Sequence, residues 1–215
     1  RLGLAALTTP DCVTIGQTLS APLLHRVGAH YHQLIRQAFI HLADLGYCRI
    51  GLVSNLASAH RTLYAQESLA HAIGAYRVAG GIPPYALRST PVDETERTGF
   101  LDWFERHRPD GVISLDQTVT VVRTLLETKG LRPPRDYGLL TLTEPENEAE
   151  RVSWMDQNEW HIGAEAVELV ALLVNRGERG EPNVPNQYLV GGQVREAGSL
   201  RRLGPPNADL LAFLA

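Results

Sequence analysis

Polar side chains that could hold a small molecule lie at or just after the ends of predicted strands. In open parallel sheets, ligands bind at the carboxyl ends of the strands. Arg61 is the strongest candidate, because a planar guanidinium can hold a carboxylate, a phosphate or a vicinal hydroxyl pair with two hydrogen bonds. The alternative is a surface arginine on the first turn of a helix, paired with Glu67. The predicted ligand-binding residues are Asn55, Arg61, Ser89, Thr90, Asp116, Thr143, Glu144, Gln157 and Asn158.

The sequence carries no motif for covalent catalysis or for phosphate binding. It has no Gly-x-x-x-x-Gly-Lys-Ser/Thr phosphate loop, no Gly-x-Ser-x-Gly nucleophile elbow and no Gly-x-Gly-x-x-Gly dinucleotide fingerprint. We therefore predict a protein that is not an enzyme and that uses no cofactor.

Four histidines lie close together in the sequence, at His25, His30, His32 and His41. A metal site requires ligands that converge on one point. On a helix only residues three or four positions apart share a face, and His30 and His32 do not. The spacing favours solvated helix histidines, so we predict no metal site.

The composition predicts a globular protein. The 215 residues are 44% hydrophobic and 20% charged, enough for one large α/β domain or two closely joined lobes. No apolar run is long enough to span a bilayer, and the first residues lack the features of a signal peptide. The only cysteines, Cys12 and Cys48, lie in or directly beside predicted strands and are expected to be buried, reduced thiols. These features favour a cytoplasmic location.

The charge pattern argues against nucleic-acid binding by this chain. The net charge is −4, and the arginines are scattered rather than gathered in a stripe that could neutralise phosphates. Any contact with DNA must come from a segment absent here. We likewise expect no membrane partner.

Short apolar runs alternate with amphipathic segments, as in parallel sheets built from βαβ units. The predicted strands are 12–16, 49–54, 85–89, 111–115, 138–143 and 187–191. The predicted helices are 27–45, 60–75, 93–106, 118–129 and 159–175. The residues from 203 onward are expected to be a peripheral addition.

The most informative stretch is 111–143, with the sequence GVISLDQTVTVVRTLLETKGLRPPRDYGLLTLT. It combines a buried strand, a polar turn, an amphipathic helix, a proline loop and a second strand. Three further motifs are HLADLGYCRIGLVSN at 41–55, Gly163 with Ala166, and Val-Arg-Glu at 194–196. In this order they resemble the effector-binding domain of the lactose-repressor (LacI/GalR) family of bacterial transcription regulators. That family places a ligand-contacting arginine at the position of Arg61.

The resemblance implies an α/β fold of the periplasmic-binding-protein kind, with two doubly wound parallel-sheet lobes joined by a hinge. In that topology the chain crosses between the lobes three times. Family members carry a helix-turn-helix and two βα units before the first predicted strand. Either the sequence is a fragment or its first lobe is reduced, so that lobe is expected to be incomplete. The predicted division is 1–26 and 152–184 for the first lobe, 27–151 and 185–202 for the second, and 203–215 for a tail.

Two positions depart from the sugar-binding members of that family. Leu115 stands where they place an asparagine, and Thr143 stands where they place an aspartate, with Glu144 next to it. Three explanations remain open: a different small molecule, a vestigial cleft, or a shift of one residue that gives Glu144 the aspartate's role. Trp154 and Trp160 flank an expected crossover and are open to a role in the cleft.

The resemblance implies an effector-sensing and dimerisation domain of a transcriptional regulator. A sugar or sugar-like molecule in the cleft would change the spacing of the DNA-binding heads in a homodimer. Operator DNA would be contacted only through the absent N-terminal segment, and dimerisation would use apolar faces that include helix 118–129. The alternative is a solute-binding protein of a transport system, which has the same fold. A hydrolase on a similar scaffold ranks last.

Overall fold

Two β-sheets and five helices form the part of the chain that the structure, a computed structural model, describes. The described residues are 12–16, 18–19, 21–55, 80–87, 93–115, 118–145 and 151–215, with the backbone alone for Asn55. The strands are β1 Val13–Ile15, β2 His25–Ala29, β3 Ile50–Asn55, β4 Tyr85–Leu87, β5 Gly111–Ser114, β6 Gly138–Thr141, β7 Ser153–Asp156, β8 Gln187–Val190 and β9 Gln193–Arg195. The helices are α1 Tyr31–Asp44, α2 Glu94–His107, α3 Val119–Glu127, α4 Glu159–Arg176 and α5 Ala208–Leu214.

The strands form a small parallel sheet and a large, mostly parallel sheet. The small sheet has the order β1-β2-β8, and the large sheet has the order β4-β3-β5-β6-β7-β9. Among the strand pairs of the described residues, only β7–β9 is antiparallel. Every residue of the central strands β5 and β6 is buried, as expected for parallel strands covered on both faces. The structure confirms the predicted α/β class.

Alternate residues of the central strands face two different apolar clusters. Ile113 and Leu140 belong to the cluster that contains α1. Their neighbours Val112 and Leu139 belong to the cluster that contains α2 and α3. Because successive side chains of a strand point to opposite faces, helices must cover both sides of the large sheet.

Among the helices of the described ranges, none is both long and apolar enough to cross a membrane.

Tyr47 anchors the turn between α1 and the large sheet. Its ring lies across Gly111 and Gly138, the first residues of β5 and β6, and a Cβ atom on either glycine would press against the ring. The hydroxyl oxygen accepts a hydrogen bond from the Arg201 backbone N–H at 3.2 Å. Burial of the ring raises the pKa of the Tyr47 hydroxyl above its ordinary value.

Several elements differ from the prediction. The predicted helix 27–45 begins too early, because β2 occupies His25–Ala29 and α1 starts only at Tyr31. All five residues of β2 are buried, and its pairing with both β1 and β8 overrides the local helical pattern. The polar stretch after residue 143 contains a further strand, β7, which pairs with β6.

The strand pairing does not follow the predicted division into lobes. The strand at 187–191 was assigned to the second lobe, yet β8 pairs with β2 in the small sheet. Residues 152–184 were assigned to the first lobe, yet β7 lies in the large sheet. The physical reason is that each crossover falls at the carboxyl end of a strand, a few residues after the predicted boundary.

The C-terminal segment is part of the fold and not a peripheral addition. Helix α5 packs against α1, and Leu210 is buried in the apolar cluster that contains α1. The Asn207 side chain caps α5 by accepting from Leu210 N at 3.1 Å and donates to the Tyr47 carbonyl at 3.3 Å. The Leu203 N–H donates to the Leu45 carbonyl at 2.8 Å.

The two cysteines do not have the predicted burial. Cys48 is exposed, and Cys12 is half-buried just before β1. The Asp110 carboxylate accepts from the backbone N–H groups of Cys48 and Arg49 at 3.0 and 2.9 Å. These side-chain contacts replace sheet pairing, so β3 begins only at Ile50 and Cys48 remains in the preceding loop.

The packing of Tyr47 predicts the effect of Gly138→Ala. The added methyl group must displace a buried ring, so we expect the free energy of unfolding to fall by about 1–3 kcal/mol. Gly163→Ala is the control, because a Cβ there meets no atom within 4 Å and lies in α4, where alanine is favoured by up to about 1 kcal/mol. In urea unfolding, Gly163→Ala should have the highest free energy of unfolding, the wild type an intermediate value and Gly138→Ala the lowest. Equal stability of Gly138→Ala and wild type would show that Tyr47 can move away.

Candidate functional site

Within the described ranges, the chain passes between the two sheets at three crossovers. After β2 in the small sheet comes α1, which packs against β9 of the large sheet. After β7 in the large sheet comes α4, which packs against β1 and β2 of the small sheet. Strand β8 of the small sheet leads directly into β9 of the large sheet. We call residues 30, 157–158 and 190–192, which include the last residue of β8, the hinge.

Hydrogen bonds join the three hinge segments to one another. The His30 backbone N–H donates to the Val190 carbonyl at 2.8 Å. The Asn158 side-chain amide donates to the Gly191 carbonyl at 2.7 Å. The first and second crossovers are therefore both bonded to the third, and the hinge forms one connected unit.

Asn158 holds the second crossover in a conformation that few residues adopt. Its φ of 56° is left-handed, which asparagine tolerates better than most residues. Its backbone N–H donates to Asp156 Oδ1 at 2.9 Å. The side chain that was predicted to contact a ligand is thus bonded to the hinge in this structure.

Asp156 and Arg195 fasten β7 to β9 beside the hinge. Arg195 donates to Asp156 Oδ2 from Nε at 3.0 Å and from Nη2 at 2.9 Å. The Asn158 N–H, with further support from Arg195, holds the pKa of the Asp156 carboxyl below its ordinary value. Arg195 belongs to the Val-Arg-Glu motif, whereas its partner Asp156 was not predicted as a site residue.

Two glycines allow the third crossover to pass close to its neighbours. A Cβ on Gly192 would collide with the Asp156 carbonyl oxygen and with Leu34. A Cβ on Gly191 would lie 3.0 Å from Gln33 Oε1. The Gly-Gly pair between two short strands is the sequence signal that could have located this crossover.

Gln157 links the hinge to the carboxyl edge of the large sheet. Its side-chain amide donates to the Leu142 carbonyl at 2.7 Å, just after β6. The next residue, Thr143, is half-buried, and its backbone N–H donates to Thr141 Oγ1 at 3.4 Å. The predicted residues Thr143 and Gln157 are thus brought to the same edge.

A small cavity opens beside Gln157. Its volume is about 200 Å³, and its lining residues are Glu144, Trp154, Met155, Asp156, Gln157, Glu159 and Trp160. It brings the predicted residues Glu144 and Gln157 together with both tryptophans that flank the crossover. Two larger hollows, of about 490 and 370 Å³, lie against α4 and the small sheet. Of these three, the smaller cavity alone lies at the carboxyl edge of the large sheet, where open parallel sheets bind ligands.

Most of the remaining predicted positions lie outside the described residues, and Asn55 is described by its backbone alone. Asn55 ends β3, and the carboxyl ends of β3, β5 and β6 are neighbours in the large sheet. Leu115 stands at the position where the sugar-binding regulators have asparagine. It is buried in the apolar cluster that contains α1 and contributes to the core. The predicted residues outside the described ranges are Arg61, Ser89, Thr90 and Asp116, together with the side chain of Asn55.

The contacts of Asp156 predict how stability depends on pH. Because the folded-state pKa is lowered, the ionised carboxylate stabilises the fold above about pH 4, and this contribution is lost as the pH falls through the lowered pKa. We expect Asp156→Asn to reduce the free energy of unfolding by about 1 kcal/mol at pH 7. At pH 3 the difference between variant and wild type should be smaller.

Chemical denaturation at the two pH values measures this difference. Glu94→Gln is the matched control, because Glu94 forms an exposed pair with Arg97 on α2 and has no contact with the hinge. It should leave the stability unchanged. A difference between Asp156→Asn and wild type that is equal at both pH values would contradict the role given to the carboxylate.

No protein-family model and no curated protein sequence matches the chain. Solved structures of transcriptional regulators are similar to it. One is a LacI family regulator from Enterococcus faecium with bound ribose, which matches with a TM-score of 0.65 at 16% sequence identity. The match covers 89% of this chain and 71% of that regulator. Another is the xylose-binding transcription activator XylR, which matches with a TM-score of 0.74 at 20% sequence identity. The match covers 98% of this chain and 58% of XylR.

A third similar structure is the transcriptional regulator CelR in complex with cellobiose. Its TM-score is 0.65 at 18% identity, and the match covers 87% of this chain and 58% of CelR. The chain thus spans 58% of the length of CelR and of XylR. At these identities the likeness concerns the fold. The chain has the α/β fold of the LacI-family transcriptional regulators, as its motifs predicted.

Proposed function

We propose that this chain is the effector-sensing part of a LacI-type transcriptional regulator and not an enzyme. A small molecule binds at the carboxyl edge of the large sheet, beside the hinge. DNA is contacted by a helix-turn-helix in another segment of the regulator, and the regulator acts as a homodimer in the cytoplasm. The observation that carries this proposal is the hydrogen-bonded hinge next to a cavity lined by Glu144, Gln157 and Trp160.

The hinge gives a ligand the means to change the arrangement of the two sheets. A ligand shifts an equilibrium only if its affinity differs between the two states. Gln157 lines the cavity and is bonded to the loop after β6, and the adjacent Asn158 is bonded to the third crossover. A ligand that contacts Gln157 therefore acts on a residue next to the bond between crossovers. We propose the two sheets, separated at the hinge, as the two lobes.

A sugar or sugar-like molecule is the effector class that we propose. Among the similar regulators, one has bound ribose, one is a xylose-binding activator and one is in complex with cellobiose. In this chain, Glu144 and Gln157 offer polar groups for hydroxyls, and Trp154 and Trp160 offer apolar ring faces for a sugar ring. Because Glu144 lines the cavity next to Thr143, we favour the explanation in which Glu144 takes the aspartate's role. Arg61 remains a proposed contact.

A thermal-shift screen tests this proposal. The chain is mixed with pentoses, hexoses, disaccharides, sugar phosphates, nucleosides and organic acids. A ligand at about 100 times its Kd adds about 2.7 kcal/mol to stability. For a chain of this size, that raises the Tm by roughly 5–10 °C. We expect the shift from a sugar or sugar phosphate.

Variants locate the site. The shift should be lost in Gln157→Ala and in Arg61→Ala, and kept in Arg106→Ala, which removes an exposed arginine from the last turn of α2. A shift that survives Gln157→Ala would place the ligand elsewhere. Stabilisation by nucleosides or organic acids alone would exclude the sugar class, and no stabilisation by any compound would contradict a working cleft.

A further inference from the structure

Arginines that are scattered along the sequence lie together at one edge of the large sheet. Strands β3, β5 and β6 start side by side, with Ile50, Gly111 and Gly138 in register. We call the side of the sheet on which these strands start the amino edge. Exposed arginines lie in the links that lead into these strands and in the segment that follows β9. We call this group the arginine patch, and its members are Arg49, Arg108, Arg132, Arg135, Arg201 and Arg202.

The segment after β9 is fixed across the amino edge. The Leu139 N–H donates to the Ser199 carbonyl at 3.1 Å. A Cβ atom on Gly46 would collide with the backbone of Gly204, so the two chain segments are in close contact there. The backbone is thus held on both sides of the two arginines at 201–202. Because this backbone is already ordered, little conformational entropy is lost when a partner binds to it.

Hydrogen bonds orient Arg201 and Arg202 without neutralising them. Arg201 Nη2 donates to the Arg135 carbonyl at 3.0 Å. Arg202 Nη1 donates to the Asp44 carbonyl at 2.9 Å. A carbonyl oxygen carries no net charge, so both guanidinium groups keep their charge, together with further N–H donors. Such a group can bind a carboxylate through two parallel hydrogen bonds.

Two carboxylates among these arginines already have hydrogen-bond donors. Asp110 accepts from two backbone N–H groups at the start of β3. Asp136 accepts from the Arg132 N–H and from Arg135 Nη2, both at 2.8 Å. Among the described residues, Arg135 is the one member of the patch that forms an ion pair. The patch therefore has an excess of positive charge, although the whole chain has a net charge of −4.

We propose that the arginine patch binds an acidic segment of a partner protein. Apolar side chains beside the arginines suit a protein partner. Leu203 is 40% exposed, and Pro205 and Pro206 are exposed as well. Arginine is enriched in protein interfaces, and the centres of these interfaces are apolar. The segment after β9 therefore offers apolar contacts next to groups that bind aspartate and glutamate.

Nucleic acid is a less suitable partner for this patch. Duplex DNA carries one phosphate per roughly 1.7 Å of its axis, and the strength of binding depends on how many phosphates are neutralised. Asp44, Asp110 and Asp136 lie between the arginines and would repel phosphates. A peptide can place its carboxylates only where arginines meet them, so it does not incur this repulsion.

The patch and the candidate cavity lie at opposite edges of the large sheet. The cavity adjoins the carboxyl edge, beside Gln157. A strand such as β5, with 4 residues, separates the two edges by roughly 13 Å. A partner protein and a small molecule can therefore bind at the same time. The inference goes beyond the proposed function and does not rest on it.

Fluorescence anisotropy with labelled peptides tests the proposal. One peptide repeats the unit Glu-Asp-Leu, and the control peptide repeats Gln-Asn-Leu. At an ionic strength of about 0.15 M, we expect the chain to bind the acidic peptide at least about ten times more tightly than the control. At about 1 M salt the Debye length falls to about 3 Å, so binding should weaken. Equal binding of the two peptides, or no binding of the acidic one, overturns the proposal.

Arginine variants test the position of the peptide. Arg201→Gln combined with Arg202→Gln should weaken binding of the acidic peptide about fivefold. The matched control combines Arg176→Gln with Arg179→Gln, at and just after the end of α4, and removes the same charge from two exposed positions. It should leave the affinity unchanged. Equal weakening by both double variants would mean that the peptide responds only to net charge, and the patch would lose its role.

Arg49→Gln tests the patch independently of the segment after β9. It keeps the hydrogen bonds that orient Arg201 and Arg202, so it remains informative if the double variant does not fold. We expect the affinity for the acidic peptide to fall about twofold. An affinity equal to that of the wild type, together with an unaffected double variant, would contradict the proposal.

A DNA duplex and a Leu203 variant separate a protein partner from nucleic acid. Leu203→Ser removes an exposed apolar contact and should weaken binding of the Glu-Asp-Leu peptide about twofold. A labelled duplex of about 20 base pairs should bind more weakly than the peptide at about 0.15 M salt. If the duplex binds more tightly than the peptide, and the Arg201 and Arg202 double variant loses this binding, the patch is a nucleic-acid surface and the proposal fails.

Discussion

The arrangement of the two sheets depends on the hydrogen bonds between the three crossovers. His30 N–H binds the Val190 carbonyl, and the Asn158 amide binds the Gly191 carbonyl. Without them, three separate links would each have to satisfy their own backbone groups. With them, the carboxyl ends of β2, β7 and β8 meet in one place. The candidate cavity adjoins this place, so the proposed ligand site and the hinge share the residue Gln157.

The apolar core extends across the hinge. One cluster contains Val27 and Val190 from the small sheet together with Ile113 and Leu140 from the large sheet. Burial of apolar area stabilises both sheets at once, while the crossovers determine how they are joined. The C-terminal helix belongs to the same cluster through Leu210. The segment that looked peripheral in the sequence therefore stabilises the large-sheet side of this shared core.

Elements whose burial is visible locally were predictable from the sequence. Strands β5 and β6 are fully buried and largely apolar, and α2 and α4 have a clear helical period. Strand β2 was missed because it begins with His25 and Arg26, whose burial results from pairing with strands far away in sequence. Glu144 was predictable as a polar residue just after a predicted strand, and Gln157 as a polar residue at the expected crossover. The Asp156–Arg195 pair was not, because 39 residues separate its members.

The brevity of the third crossover restricts how the sheets can move. Only Gly191 and Gly192 separate β8 from β9. Three Cα-to-Cα steps of about 3.8 Å keep the ends of these strands within roughly 11 Å of each other. The sheets therefore cannot slide apart along this tether. Any rearrangement must be a swivel about the glycine pair, which makes this dipeptide the pivot of the molecule and the remote ends of the sheets the points of largest travel.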